Sequence, residues 1–182
     1  YKIILLTGYI GIGLTTYILA YQVGNPRPWA AMAGILTMLA YPLLVTVGLW
    51  GWFSSVVALP LALLALAMLE KAYHSGRCRF ALIGGACLGL AILAHHMTAF
   101  AMAMGLPTWV LFCYLRIPTQ RKHLFKVALL FSTTAMITTV WWIIPWATTL
   151  LEVGFQRETP GLWSFSIFRY LEAIIQHDLI GF

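Results

Sequence analysis

Charge is what this sequence has least of. Only 9% of its 182 residues are charged and 62% are hydrophobic, whereas roughly a quarter of the residues in soluble globular domains carry a charge. So few charged side chains cannot cover the surface of a water-soluble body of this size, but lipid accommodates such a composition. The composition therefore predicts an all-α fold, a polytopic bundle of transmembrane helices with the lipid bilayer as its first partner.

Recognisable catalytic and ligand-binding motifs are also missing. The sequence has no Walker A loop, no GxSxG elbow and no HExxH helix. Its three cysteines, Cys78, Cys87 and Cys113, have no metal-ligand spacing, so we interpret them as small buried hydrophobic residues and predict no metal site. The net charge of +6 comes from scattered Lys and Arg residues without a basic face, which speaks against a nucleic-acid partner.

Apolar run length predicts the number of spans. A helix rises about 1.5 Å per residue, so crossing a hydrocarbon core about 30 Å thick takes about 20 apolar residues. Two stretches are too long for one span: 29–69 has 41 residues without charge, and only His95 and His96 interrupt the 36 residues of 80–115. We expect the first to turn at Gly48–Ser55 and the second at His95–Thr98. The six predicted spans are residues 3–21, 29–47, 55–69, 80–94, 98–115 and 127–151.

The basic residues predict the orientation of these spans. With six alternating spans, eight of the 11 Lys and Arg residues fall on one side. The positive-inside rule then makes loops 70–79 and 116–126 cytoplasmic, and places the His95–His96 turn and the Trp50/Trp52 turn outside. We also expect Pro145 to kink or end the sixth span near one face.

Residues 152–182 differ from the rest of the chain because they contain four of its five acidic residues. Thr159–Pro160 is typical of a helix start, and Phe165, Phe168 and Ile175 follow helical spacing. We predict an exterior amphipathic helix, which lies on the outer membrane surface or packs on the bundle. Because the chain opens without Met and stops within a sequence that could continue, we expect it to be a fragment of a longer protein.

His95 and His96 are the most distinctive polar pair and the first candidate site. They are either interfacial polar residues that end two helices, or contacts to a substrate or lipid phosphate, or ligands of a metal or haem. Metal binding is the weakest of these readings, because adjacent helical residues point about 100° apart. Arg157, between Glu152 and Glu158, is a further candidate for phosphate contact. The two carboxylates are either an acid–base pair or solvated surface charges.

Ala81, Gly85 and Gly89 recur at intervals of four residues within the fourth predicted span. Small residues at this spacing let two helices approach closely in lipid. We therefore assign these three residues to helix packing and expect them to contact the neighbouring span.

Three sequence segments resemble a known family. They are Gly51–Ser55 followed by an Ala/Leu-rich span, Gly89–Ala99 with its His–His turn, and Trp141–Pro145 followed by Leu151–Phe155. Through these three segments, residues 48–155 resemble the C-type (GT-C) glycosyltransferase-like membrane proteins. Within that family, they resemble the branch called 6-pyruvoyl-tetrahydropterin synthase-related membrane proteins.

The resemblance implies a transferase that moves a sugar from a polyprenyl-phosphate donor at the outer face of a bacterial plasma membrane. Its members carry a catalytic acid in an early exterior loop, but residues 1–69 contain no Asp or Glu. No catalytic residue is carried over, and a divalent metal is expected only in a longer protein. The resemblance transfers His95 and His96 as contacts to a lipid phosphate.

The alternative hypothesis is a non-catalytic integral membrane subunit that scaffolds a larger membrane complex with other subunits. A transporter is the third class. It is disfavoured because the predicted spans contain no charged residue, whereas ion pumps and proton relays place one there.

Overall fold

Every regular element in the described part of the chain is an α-helix. The computed structural model describes residues 2–40, 53–116 and 121–153. They form six helices: α1 (Lys2–Gln22), α2 (Arg27–Leu39), α3 (Phe53–Ser75), α4 (Cys78–Ala94), α5 (His96–Arg116) and α6 (Arg121–Val153). The predicted all-α helical bundle is confirmed.

Within the described residues, three helical segments are long and apolar enough to cross a membrane, namely Lys2–Gln22, Ser54–Ser75 and Arg121–Pro145. Large apolar side chains cover their outward surfaces, among them Ile3, Leu14 and Ile137. Water would make such a surface costly, whereas hydrocarbon does not. The chain is therefore an integral membrane protein. α4 and the second half of α5 are shorter apolar helices.

The chain divides into two compact units, Tyr1–Trp142 and Ile143–Phe182. The first contains helices α1 to α5 and most of α6. In the second, the described residues are the last turns of α6, where the Thr148 hydroxyl donates to the Pro145 carbonyl at 2.9 Å.

Glycine in the left-handed conformation ends two helices. Gly24 follows α1 with φ +101° and Gly76 follows α3 with φ +71°, a region that favours glycine because it has no Cβ. Asn25 completes the first turn, since both its backbone N–H and its side-chain amide donate to the Ala20 carbonyl, at 3.1 and 3.0 Å. These turns let α2 and α4 begin within a few residues.

α2 is shorter than the span predicted over 29–47, because it ends at Leu39 and Ala40 is extended. Pro42 provides the physical reason: proline has no N–H to donate to the carbonyl four residues earlier, which belongs to Met38. The Tyr9 hydroxyl of α1 donates to that carbonyl instead. A neighbouring helix thus satisfies a polar group that the sequence leaves without its helical partner.

α1 and α3 run parallel and approach each other at glycines. Gly8 lies against Val56, and Gly11 lies against Pro60. A methyl group at Gly8 would stand 2.8 Å from the Val56 carbonyl oxygen, and this is the carbonyl that Pro60 cannot bond within α3. Glycine therefore lets α1 cover a polar atom that a proline exposes.

The core lies between α3, α4 and α6. Phe131 of α6 is fully buried in a cluster with Leu69 of α3 and Leu88 of α4. Its ring occupies space beside Gly84, where a methyl group would stand 2.9 Å from the ring and equally close to the Ala65 carbonyl. Glycine at this position thus admits a large aromatic ring between three helices.

The directions of the helices bring the described basic residues other than Lys2 to one end of the bundle. α3 and α5 end there, whereas α4 and α6 begin there. We call this end, with the loops next to Ser75, Arg116 and Arg121, the basic end, and the opposite end the His95 end. The basic end carries, within about two helical turns, Lys71, Arg77, Arg79, Arg121, Lys122 and Lys126.

The ends of α4 and α6 bear on two further predictions from the sequence. α4 ends at Ala94, where the fourth predicted span ends. α6 runs through Pro145 to Val153, so Pro145 does not end it. The predicted turn at 48–55 falls, up to Trp52, outside the described residues, as does the predicted amphipathic helix from residue 154 onward.

Gly85 gives the sharpest test of this packing. A methyl group there would overlap the Phe131 carbonyl oxygen and the Thr134 side chain, whereas one at Gly105 of α5 would meet nothing within 4 Å. Both Gly→Ala changes gain similar helix propensity. We expect Gly85→Ala to be less stable than Gly105→Ala by about 1–3 kcal/mol in denaturant unfolding in detergent. Equal stability of the two variants would contradict the packing described here.

Candidate functional site

His95 breaks the chain between two apolar helices. Its backbone is extended, with φ −160° and ψ 96°, and its N–H donates to the Ala91 carbonyl at 2.9 Å. α4 therefore stops at Ala94 and α5 begins at His96. The histidine pair thus lies at the junction of two helices, at the end of the bundle opposite to the basic residues.

A hydroxyl from a third helix meets His95 at this junction. Ser55 Oγ, in the first turn of α3, shares a hydrogen bond of 3.3 Å with His95 Nδ1. Both residues are half-buried. The bond orients the imidazole through Nδ1.

The other two candidate contact residues cannot be placed beside His95. His96 is the first residue of α5, and its side chain lies outside what the structure describes. Arg157 belongs to the undescribed segment after Val153. The structure therefore brings together His95 and Ser55, of which the sequence predicted only the first.

The small residues of α4 are buried at a helix interface. Ala81, Gly85 and Gly89 all face the protein interior. Gly85 lies against Phe131 and Gly89 against Thr138, both on α6. The expected partner was the neighbouring span in sequence, but the stripe meets the helix two positions further along the chain.

A second polar site, absent from the sequence-based predictions, lies at the basic end. The Glu70 carboxylate of α3 accepts two hydrogen bonds through different oxygens. His74 Nε2 lies 2.9 Å from Oε1, and Trp109 Nε1 of α5 donates to Oε2 at 2.8 Å. The Glu70 side chain is 12% exposed and that of His74 58% exposed, so the tryptophan bond is the more sheltered one.

Aromatic rings extend this site to α6. The Tyr73 ring stacks on His123 at 6.3 Å between centroids and meets Trp109 edge-to-face at 5.7 Å. His123 Nε2 is buried without a hydrogen-bond partner among the described residues. We call Glu70, Tyr73, His74, Trp109 and His123 the Glu70 cluster. It joins α3, α5 and α6.

The chemistry open to the Glu70 cluster is restricted, because both carboxylate oxygens are already bonded within the protein. A carboxylate held in this way fixes the position of α5 against α3 and is poorly placed to take a proton from a substrate. Two features of the sequence could have indicated this site. Glu70 is the single acidic residue among residues 1–151, and its spacing to His74 is that of an i,i+4 helical pair.

The described residues contain no group of three or more His, Cys, Asp or Glu side chains that could hold a metal ion. A resident cation would need several such ligands converging on one point. Neither the His95 junction nor the Glu70 cluster supplies them.

Comparison of the chain with protein families, curated proteins and solved structures finds no match. Its function must therefore be argued from the two polar sites and from the membrane setting.

The bond between Glu70 and Trp109 can be measured by a double-mutant cycle. Because Glu70→Ala leaves the sheltered indole N–H unpaired, we expect it to destabilise the protein by about 1–3 kcal/mol. The double variant Glu70→Ala/Trp109→Phe should lose less stability than the two single variants lose in sum. The difference, which is the coupling free energy between the two residues, should be about 0.5–3 kcal/mol.

His74→Ala is the matched control for this cycle, because it removes the exposed partner and should cost at most about 1 kcal/mol. Denaturant unfolding followed by circular dichroism measures all four variants. Strict additivity of Glu70→Ala and Trp109→Phe would show that the bond contributes nothing.

Proposed function

We propose that this chain is part of a glycosyltransferase-like membrane protein that uses a polyprenyl-phosphate-linked sugar at the outer face of a bacterial plasma membrane. The observation that carries the proposal is the His95 junction. There the extended backbone of His95 separates two apolar helices at the end opposite to the basic end, and Ser55 orients the His95 imidazole.

The chemistry of a polyprenyl phosphate fits this junction. Its phosphate requires hydrogen-bonding side chains near the end of a membrane-spanning bundle, and an imidazole at the junction of two helices is a side chain of that kind. Its long isoprenoid chain requires an apolar surface. The exposed apolar side chains of α5, including Met104 and Leu111, provide one that starts below the junction.

A second function, a non-catalytic subunit that scaffolds a membrane complex, is favoured by a different observation. Glu70, the one acidic residue before Glu152, lies at the basic end with both oxygens bonded. The described residues at the His95 end therefore supply no acid for sugar transfer. If the protein purifies alone and turns over a lipid-linked sugar, the non-catalytic scaffold function is ruled out.

Binding of a short-chain polyprenyl phosphate to the detergent-solubilised protein tests the role of His95. We expect His95→Ala to weaken this binding at least about tenfold, because a hydrogen bond to a charged group contributes about 1.5–3 kcal/mol. His74→Ala is the matched control and should bind as the unmodified protein does.

The corresponding polyprenol, which has no phosphate, is the ligand control and should bind weakly to every variant. Equal binding of polyprenol and polyprenyl phosphate, or unchanged binding by His95→Ala, would contradict the phosphate contact.

The orientation is part of the proposal: the basic end faces the cytoplasm. Cys78, partly exposed at the start of α4, reports on it. In a Cys87→Ser/Cys113→Ser background, a membrane-impermeant maleimide should label Cys78 only after the membrane is opened. Lys2→Cys, at the start of α1 and therefore at the His95 end, should instead label in intact cells. Labelling of both positions from the same side would refute the orientation.

A further inference from the structure

The basic end combines many cations with a single described carboxylate. Lys71 lies near the end of α3, Arg77 and Arg79 flank the start of α4, and three more basic residues lie near the start of α6. Glu70 is the one acid among residues 1–151, and His74 and Trp109 occupy its oxygens. Within the described residues the only ion pair is the one between His74 and Glu70. The cations of the basic end therefore lack an anion from the described bundle.

Aromatic rings hold these cations in place. Lys71 Nζ lies 4.6 Å and the Arg79 guanidinium 4.9 Å from the centre of the Phe80 ring, so two cations share one ring. The Arg121 guanidinium lies 4.2 Å from the Tyr114 ring, and its Nε donates to the Tyr114 carbonyl at 3.4 Å. A ring fixes a cation without neutralising it, and a stacked guanidinium keeps N–H groups at its edge for an anion.

Exposed apolar side chains adjoin the same cations. Phe125, one helical turn beyond Arg121, is 70% exposed, and Leu129 continues that face of α6. Leu82, one turn beyond Arg79, is exposed on α4. A ligand that met both features would combine a phosphate at the end of the bundle with hydrocarbon beside the helices.

We propose that the basic end is a binding surface for anionic phospholipids, with Lys71 and Arg79 around Phe80 as one phosphate contact and Arg121 on Tyr114 as another. Lipid fits better than a water-soluble anion, because the apolar faces of α4 and α6 begin directly beside the cations. The inference does not depend on the proposed glycosyltransferase function, since it concerns the opposite end of the bundle.

The test measures retained lipid by native mass spectrometry. The full chain is purified in mixed micelles that contain equal amounts of phosphatidylglycerol and phosphatidylcholine. We expect selective retention of phosphatidylglycerol that weakens about fivefold for each basic residue removed, because one Lys or Arg near an anionic surface contributes about that factor. The variants are Lys71→Gln/Arg79→Gln and Arg121→Gln.

Lys2→Gln removes one charge from the other end of the protein, as Arg121→Gln does from the basic end, and should keep the selectivity of the unmodified chain. Higher salt should weaken the retention of phosphatidylglycerol without changing that of phosphatidylcholine. Circular dichroism checks that each variant is folded. Because the altered side chains lie at the surface, a folded variant with reduced retention supports the proposal.

Three results would overturn the proposal. The first is equal retention of the two lipids by the unmodified chain. The second is unchanged selectivity in the folded triple variant Lys71→Gln/Arg79→Gln/Arg121→Gln. The third is displacement of phosphatidylglycerol by inorganic phosphate or a short oligonucleotide at equal concentration, which would make the surface a site for soluble anions.

Discussion

The closest described approaches between helices in this bundle depend on glycines, which let one helix meet the backbone of another. In hydrocarbon no hydrophobic force brings helices together, so association requires dense packing and satisfied polar groups. Gly8 brings α1 onto the Val56 carbonyl, and Gly84 of α4 admits the Phe131 ring of α6 beside α3. Where a proline removes a helical donor, α1 covers the freed carbonyl, by close approach at Val56 and through Tyr9 at Met38.

This dependence explains what the sequence could predict. The length of apolar runs predicts membrane-spanning helices, because each crossing needs a similar number of residues, and three described helical segments are long enough to cross. The end of α4 follows from the histidine pair that interrupts one such run. The early end of α2 was also readable, since Pro42 removes a donor, but the prediction gave more weight to apolar length than to proline.

The Glu70 cluster could not be predicted in the same way. Its contacts join Glu70 to Trp109 and Tyr73 to His123, residues that are far apart in the chain. Helices that are apolar on every side give no hydrophobic face from which to infer their neighbours. The small-residue stripe shows the same limit, because its spacing indicated close packing and left open that α6 would be the partner.

The two ends of the bundle differ in the kind of binding they can support. At the basic end, fixed cations without carboxylate partners attract a phosphate at every pH where lysine and arginine are charged, which suits a lipid that stays bound. At the His95 junction the described hydrogen-bonding pair is an imidazole and a hydroxyl. A site with fewer fixed cations holds a phosphate less tightly and releases it more readily, as turnover of a lipid-linked substrate requires. Our two proposals therefore assign a resident lipid to one end and an exchanging lipid to the other.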